Sequence, residues 1–81
     1  MIVKLKQIKS PETMAKIREI GFCEYCGATW RALHAHHITS RGAGGNDTED
    51  NLVCLCVNCH AAAHSAEIKK DELRLIVSGR T

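Results

Sequence analysis

Two pairs of closely spaced cysteines constrain this 81-residue chain more than any other feature of its sequence. Cys23 and Cys26 form one C-x-x-C pair, and Cys56 and Cys59 form the other. A domain of this size buries little apolar surface, so it commonly needs a disulfide, a metal ion or a partner chain for stability. Because the total of five cysteines is odd and the spacing suits zinc, we predict one site of four thiolates rather than disulfides or redox dithiols. The remaining cysteine, Cys54, is interpreted as a buried apolar residue.

Histidines provide a second set of metal-ligand side chains. His60 and His64 follow the second cysteine pair, and a helix there would place them one turn apart on one face, where they can bind a single metal ion. Zinc binding would join the two cysteine pairs and bring His36 and His37 towards this helix. Neighbouring residues on a strand face opposite sides, so the side chains of His36 and His37 can serve two different purposes. His34 shares a face with His36 and stays open as a third-shell or alternative ligand, or as an exposed or core-edge histidine.

The first part of the chain predicts a helix. Met1 to Lys9 alternates partly between apolar and basic residues, as in a short edge strand or a basic arm. Ser10-Pro11-Glu12 then combines an N-cap, a proline at the first helical position and an acid in the first turn. The expected helix ends at Gly21 as its C′ residue, and its apolar stripe is Met14, Ile17 and Ile20.

The rest of the chain predicts a hairpin followed by helical segments. Residues 28–38 suit a strand or hairpin arm, and residues 40–51 form a glycine-containing loop that is best interpreted as a flexible connection. Residues 52–59 are apolar again and lead into the helix with His60 and His64, which is expected to reach about Lys70. Leu73, Ile76 and Val77 fit a further helix or a terminal strand.

Composition limits the kind of core, the binding partner and the cellular location that can be expected. An aromatic content of 4% excludes a large aromatic core, and a formal net charge of +2 gives only weak support for a nucleic-acid partner. The basic start of the chain lacks the apolar run of a secretory signal, and no stretch of about 18 apolar residues is present to cross a membrane. We therefore expect a cytoplasmic protein without a membrane span, in a reducing setting that favours zinc thiolates over disulfides.

The order of these groups resembles the HNH nucleases (ββα-metal, or His-Me finger, nucleases) in their zinc-ribbon-stabilised form. Three segments carry the resemblance: A-H-H-I at 35–38, D-N-L-V-C-L-C at 50–56 and C-x-x-C-H-x-x-x-H at 56–64. The resemblance implies a small zinc-stabilised α+β domain, the ββα-metal fold with an N-terminal helix. Residues 1–81 would then be one domain with its core motif at about 22–65, an arm and helix at 1–20, and a C-terminal extension at 66–81.

The resemblance also implies a role for each matching residue. His36, His60 and His64 would bind the catalytic metal ion, as in the subgroup that has histidine at all three positions. His37 would be the general base that activates water, and Asn51 would hold the long loop against the His37 backbone and so orient the ring. An imidazole suits the base because its ordinary pKa near 6.5 lies close to cellular pH.

The implied activity is metal-dependent hydrolysis of DNA, by nicking or double-strand cleavage, with 3′-hydroxyl and 5′-phosphate products. The cofactors would be a structural Zn2+ and one catalytic divalent ion, with Mg2+, Mn2+, Ni2+, Co2+ and Zn2+ all open. Arg41 is the candidate phosphate contact, and Arg31 is a weaker one. One active site per chain makes a nick the simplest product, and the small core makes a homodimer plausible.

Two other functions fit part of the sequence. A non-catalytic zinc-ribbon module that binds nucleic acid or protein would account for the four paired cysteines but would leave the histidines without a joint purpose. A metal sensor or carrier would bind an ion reversibly at the histidines and hydrolyse no phosphodiester. A supercoiled-plasmid assay with Mg2+ or Mn2+ would separate the binding module from a nuclease, and His37→Ala would separate the carrier.

Overall fold

The computed structural model describes residues 7–80 of the chain, and within that range the architecture is α+β, as predicted. The strand or basic arm expected at Met1–Lys9 lies largely outside the described residues, and residues 7–9 themselves contain no helix or strand. The elements in chain order are helix α1 (Pro11–Arg18), strand β1 (Leu33–His37), a 3-10 turn (Arg41–Ala43), strand β2 (Leu52–Cys56), helix α2 (Val57–His64) and helix α3 (Lys70–Ser78).

Helix α1 begins where the sequence predicts it. The hydroxyl of Ser10 accepts a hydrogen bond from the backbone N–H of Thr13 at 3.2 Å, and proline occupies the first turn. The regular helix ends at Arg18, with Glu19 as the C-cap. Gly21 is therefore not the C′ residue, and the helix is shorter than predicted. Gly21 instead takes φ +88° in the turn that follows, a conformation that only glycine adopts without strain.

The two strands form an antiparallel pair with one helix on one face and two helices on the other. Leu52 and Cys54 lie on the face covered by α1, whereas Val53 and Leu55 lie on the face covered by α2 and α3. All of β2 is therefore buried. Strand β1 covers only Leu33–His37 of the arm predicted at residues 28–38, because only this part pairs with β2.

Helix α2 ends at His64, so the prediction that it reaches about Lys70 is wrong. Ala66 adopts a left-handed backbone conformation with φ +65°, and the N–H groups of Glu67 and Ile68 both donate back to the carbonyl of Ala62. This turn satisfies the last carbonyl groups of the helix and redirects the chain into α3. The open choice for the C-terminal stripe is thereby decided in favour of a helix, with Leu73 in the core.

The connection between the strands, residues 38–51, is held in place by hydrogen bonds, although the sequence predicts a flexible connection. The segment before α1 holds it from one side: Gln7 Nε2 donates to the carbonyls of Arg41 and Gly45 at 2.8 and 2.6 Å. Ile8 N–H donates to the side chain of Asn46, also at 2.8 Å. These contacts matter because the same loop carries Asp47, whose side chain contacts His37.

None of the helices formed by residues 7–80 is both long enough and apolar enough to cross a bilayer.

Candidate metal centre and active site

The four predicted zinc cysteines meet at one point. One sulfur from each of Cys23, Cys26, Cys56 and Cys59 lies within 4.8 Å of the others, and the Cys26 and Cys56 sulfurs are 3.8 Å apart. Cys26 alone is exposed, and the others are buried. Four thiols so arranged fit the tetrahedral coordination of a zinc ion. The cluster can therefore hold zinc, as the C-x-x-C spacing predicts.

The first cysteine pair is shaped by a tight turn. The N–H of Gly27 donates to the carbonyl of Cys23 at 2.8 Å, and the N–H of Cys23 donates to the carbonyl of Ala28 at 2.9 Å. Gly27 has φ +81°, so a side chain at this position would strain the turn. The N–H of Cys26 approaches the Cys23 sulfur at 3.5 Å, which favours a thiolate there.

The thiols of the cluster and the fifth cysteine have different environments. Burial acts to raise the pKa of Cys56, but hydrogen bonds from the backbone and side chain of Cys59 and from Cys26 outweigh it and hold the pKa at about 6. Burial raises the pKa of Cys54 to about 11, so this thiol stays neutral at pH 7. Cys54 is fully buried beside Ile17 and Leu52, and the interpretation as an apolar core residue is confirmed.

The three predicted metal histidines also converge. One ring nitrogen from each of His36, His60 and His64 lies within 4.8 Å of the others, and the Nε2 atoms of His60 and His64 are 3.1 Å apart. Their ring centroids are 4.7 Å apart, and the His36 centroid lies 5.0 and 5.2 Å from those of His60 and His64. Metal–nitrogen bonds of about 2.0–2.1 Å place neighbouring ligands roughly 3 Å apart, so the donor set fits one ion.

Two of these histidines, His36 and His60, have pKa values below the ordinary value for histidine. Burial, and then the proximity of His60 and His64, lower the pKa of His36 to about 4. Burial likewise lowers the pKa of His60, with His64 and His34 adding to the effect. A neutral imidazole offers its lone pair without first losing a proton, which is the form that binds a metal ion.

His34 contacts His60 on the side of the ring away from His64. Its Nδ1 lies 2.8 Å from Nδ1 of His60, and the two rings meet edge to face with centroids 4.9 Å apart. His60 thus uses one ring nitrogen for His34 and has the other beside His64. The shared strand face of His34 and His36, expected from alternation, is what brings His34 to this position.

His37 turns to the opposite side of the strand and contacts the loop. Its Nε2 lies 2.6 Å from Oδ1 of Asp47, whose side chain is completely buried. His36, His37 and His64 nevertheless line one open cavity of about 210 Å³ together with Lys70. The candidate base and two of the candidate metal ligands thus border the same space.

Asn51 closes the loop in a slightly different place from the one predicted. Its Oδ1 accepts the N–H of Thr39 at 2.8 Å, and its Nδ2 donates to the carbonyls of Thr39 and Asn46 at 3.0 and 2.9 Å. The contact is therefore with the backbone two residues after His37 and not with the His37 backbone. The backbone carbonyl of Asn51 accepts a hydrogen bond from the N–H of Ile38 at 2.9 Å, so Asn51 also holds the residue that directly follows His37.

The two candidate arginines have structural partners. Arg41 donates to Asp47 through Nη2 at 2.7 Å and Nε at 3.3 Å, and its side chain remains 46% exposed. Arg31 lies against the cysteine cluster, and its guanidinium stands 5.6 Å from the ring centroid of the exposed Trp30. Phosphate contact by Arg41 stays a prediction. The exposed part of the side chain is accessible to a phosphate group.

Comparison with known proteins identifies the class to which this fold and site belong. The family model for HNH endonuclease matches residues 23–66, more than half of the chain, and the chain belongs to this family. The type IV methyl-directed restriction enzyme EcoKMcrA of Escherichia coli (strain K12) is 34% identical to this chain over an alignment covering 69% of it. The alignment spans 23% of that relative, so the chain corresponds to about a quarter of the relative's length.

Sequence reasoning missed Asp47. It lies in an acid-rich loop beside Glu49 and Asp50, and nothing in the order of residues separates it from these exposed neighbours. Its burial depends on the segment before α1, whose Ser10 N–H donates to Oδ2 of Asp47 at 2.8 Å. Only the folded chain brings that segment, the loop and His37 together.

Proposed function

We propose that this chain is a metal-dependent endonuclease domain that hydrolyses DNA phosphodiester bonds. The observation that carries the proposal is the common cavity of His36, His37 and His64, with the donor atoms of His36, His60 and His64 at metal-ligand spacing. Membership of the HNH endonuclease family supports a nuclease-type function. The similarity to a restriction enzyme supports DNA as the substrate.

Each residue contributes a different part of the chemistry. His37 acts as general base: it removes a proton from the attacking water through the ring nitrogen that does not face Asp47. Asn51 holds Thr39 and Asn46 and thereby fixes the backbone on which His37 is mounted. The exposed part of Arg41 and the ammonium group of Lys70 at the cavity offer positive charge to a phosphate.

The histidine site is proposed to hold one divalent ion through His36, His60 and His64. When bound, the ion would neutralise charge on the scissile phosphate and on the departing 3′ oxygen. Three neutral imidazole ligands would not reduce the positive charge of the ion, so the full charge would act on the phosphate. Mg2+, Mn2+, Ni2+, Co2+ and Zn2+ are all candidate ions. Imidazole nitrogen ligands favour Ni2+, Co2+ and Zn2+ over Mg2+ and Mn2+. The structural zinc is assigned to the cysteine cluster.

A supercoiled plasmid tests the proposal directly. Purified protein is incubated with plasmid and each of the five ions in turn, and conversion to open-circular and linear forms is followed on a gel. We expect a nick as the first product, since one chain carries one active site, and a product that ligase reseals because it has 3′-hydroxyl and 5′-phosphate ends. A structured RNA in the same assay establishes whether DNA is preferred.

The matched control is His37→Ala, which removes the base and leaves the metal ligands in place. We expect this variant to bind Ni2+ as the wild type does and to lose cleavage by about 10²–10⁴-fold. A plasmid that stays intact with every ion would refute the nuclease and favour a non-catalytic zinc-ribbon module. Reversible metal binding that is unaffected by His37→Ala, again without turnover, would favour a sensor or carrier.

The proposal includes three further expectations. Residues 1–81 act as one domain, with the core motif at about 22–65. Double-strand cleavage needs two encounters or a homodimer, which light scattering coupled to gel filtration detects. The protein acts on DNA in the cytoplasm, which fractionation of the source cells tests.

A further inference from the structure

We propose that Asp47 is the positioning residue for His37: it fixes the ring with its proton on Nε2 and keeps Nδ1 free to accept a proton from water. This inference rests on the proposed function, because it assigns a role in the same reaction. Asp47 does not touch the substrate in this proposal and acts only through His37.

The contacts of Asp47 are unusual for an acid in a surface loop. Its side chain is 0% exposed, and both oxygens accept two hydrogen bonds each. Oδ1 lies 2.6 Å from His37 Nε2 and accepts from Arg41 Nε at 3.3 Å. Oδ2 accepts from Arg41 Nη2 at 2.7 Å and from the Ser10 backbone N–H at 2.8 Å. All four possible acceptor directions of the carboxylate are therefore in use.

The charge state of Asp47 determines which nitrogen of His37 carries the proton. Hydrogen bonds from Arg41 and then from His37 hold the pKa of Asp47 well below its usual range, so the group is an ionised carboxylate at neutral pH. An ionised carboxylate only accepts hydrogen bonds, so Nε2 of a neutral His37 must be the donor. The lone pair is then on Nδ1. A histidine without this partner would exchange its proton between the two nitrogens.

An amide at position 47 would reverse this arrangement. The arginine nitrogens and the Ser10 N–H can only donate, whereas His37 can change from donor to acceptor by moving its proton. In Asp47→Asn the oxygen would therefore remain with Arg41 and Ser10, and the NH₂ group would turn to His37. That contact favours a lone pair on Nε2 and a proton on Nδ1, the form of the ring that cannot accept a proton from water.

Two measurements test the inference. In the wild type, loaded with zinc and kept near pH 8, the ring ¹⁵N signals of His37 are assigned by their loss in His37→Gln. We expect a protonated Nε2 and an unprotonated Nδ1. In Asp47→Asn we expect the two signals to exchange character, and the kcat for plasmid nicking to fall by about 10²-fold or more with KM changed less than threefold.

Asp50→Asn is the matched control, because it makes the same chemical change at an exposed acid of the same loop. We expect wild-type signals and rates from it. A wild-type His37 with its proton on Nδ1 would overturn the inference without any variant having to fold. Asp47→Asn with wild-type kcat and tautomer would overturn it as well, and would leave Asp47 as a structural tie. If the wild type cleaves no plasmid, the nuclease proposal fails, and the ¹⁵N signals still decide the Asp47–His37 relation.

Discussion

At the end of β1, the alternation of the strand gives two neighbouring histidines different partners. His36 pairs across the sheet with Val53 and faces α2, where it meets His60 and His64. His37 faces the other side and meets Asp47. Residue identity alone therefore does not distinguish the proposed ligand from the proposed base. The partner that each ring nitrogen finds in the fold makes the distinction.

Gly45 supports the loop by having no side chain. A Cβ built at this position would lie 1.8 Å from the carbonyl oxygen of Thr39 and 2.9 Å from Nδ2 of Asn51, which are two atoms of the same hydrogen-bonded contact. We predict that Gly45→Ala destabilises the protein by about 1–3 kcal/mol, as overpacking does, and slows plasmid nicking. Urea unfolding and the nicking rate measure the two effects.

Gly42→Ala is the control for this prediction. Gly42 lies in the same loop, and a Cβ there would meet no atom within 4 Å. Its substitution should change the free energy of unfolding by less than about 0.5 kcal/mol and leave the nicking rate as it is. Equal effects of the two substitutions would show that the Thr39–Asn51 contact does not need the close approach of Gly45.

His34 is predicted to tune metal binding without being a ligand. Its Nδ1 contact with His60 Nδ1 leaves Nε2 of His60, the nitrogen beside His64, for the ion. Because such outer partners orient metal-binding histidines, His34→Phe should weaken Ni2+ binding at the histidine site by about 10–100-fold. Titration calorimetry measures the affinity, and zinc content checks that the cysteine cluster is unaffected. An unchanged Ni2+ affinity would refute the role.

At the scale of elements, Arg80 connects the end of the C-terminal helix to the turn that carries the first cysteine pair. Arg80, just after α3, donates to Glu24 through Nη2 at 2.6 Å and Nε at 3.1 Å, and to the carbonyl of Leu52 at 2.9 Å. Glu24 in turn accepts the N–H of Cys54 at 2.9 Å. The pair thus connects α3, β2 and the turn of the first cysteine pair.

We predict that Arg80→Ala destabilises the protein by about 1.5–3 kcal/mol, the range for hydrogen bonds to charged groups. The reason is that Glu24, whose side chain is only 8% exposed, loses its bidentate partner. Thermal unfolding measures the loss. The control is Arg74→Ala, since Arg74 is 3.7 Å from an almost fully exposed Asp71 and should contribute less than about 1 kcal/mol. Equal losses would contradict the assigned role of the Arg80–Glu24 pair.

At the scale of the whole molecule, the core formed by residues 7–80 consists of two small apolar clusters on the two faces of one short sheet. One cluster contains Ile17, Leu52 and Cys54 under α1. The other lies between the sheet, α2 and α3, and three of the four paired cysteines belong to it. Metal binding at the cysteines would therefore stabilise the larger cluster directly, as expected of a domain with so little apolar surface to bury.

We predict that the protein retains one zinc ion per chain through the cysteine cluster, and that Cys56→Ser loses both the zinc and cooperative unfolding. Elemental analysis and circular dichroism measure the two properties. Cys54→Ser is the matched control, because Cys54 is equally buried, precedes Cys56 by two residues and lies outside the cluster. His60→Ala should also keep the zinc. Loss of zinc in Cys54→Ser, or its retention in Cys56→Ser, would contradict the assignment of the four ligands.

The sequence by itself determined the elements whose signals are local. The C-x-x-C pairs and the His60–His64 spacing place ligands within a few residues of each other, so their convergence follows from one turn and one helix. Ser10 and proline likewise predict the start of α1 correctly. The length of α2 was not predictable in this way, because the turn that follows its end at His64 uses a left-handed residue, Ala66, that is not glycine.

The tertiary structure alone decided which groups complete the site. Asp47 is buried because residues 7–10 and Arg41 surround it, and Asn51 holds Thr39 because the loop folds back over Gly45. Some of these partners are distant in sequence, and several are backbone N–H or carbonyl groups, which do not depend on the identity of the side chain. Such groups leave no trace in the order of side chains. Their pairing appears only when the chain must satisfy the hydrogen bonds of a loop held against a sheet.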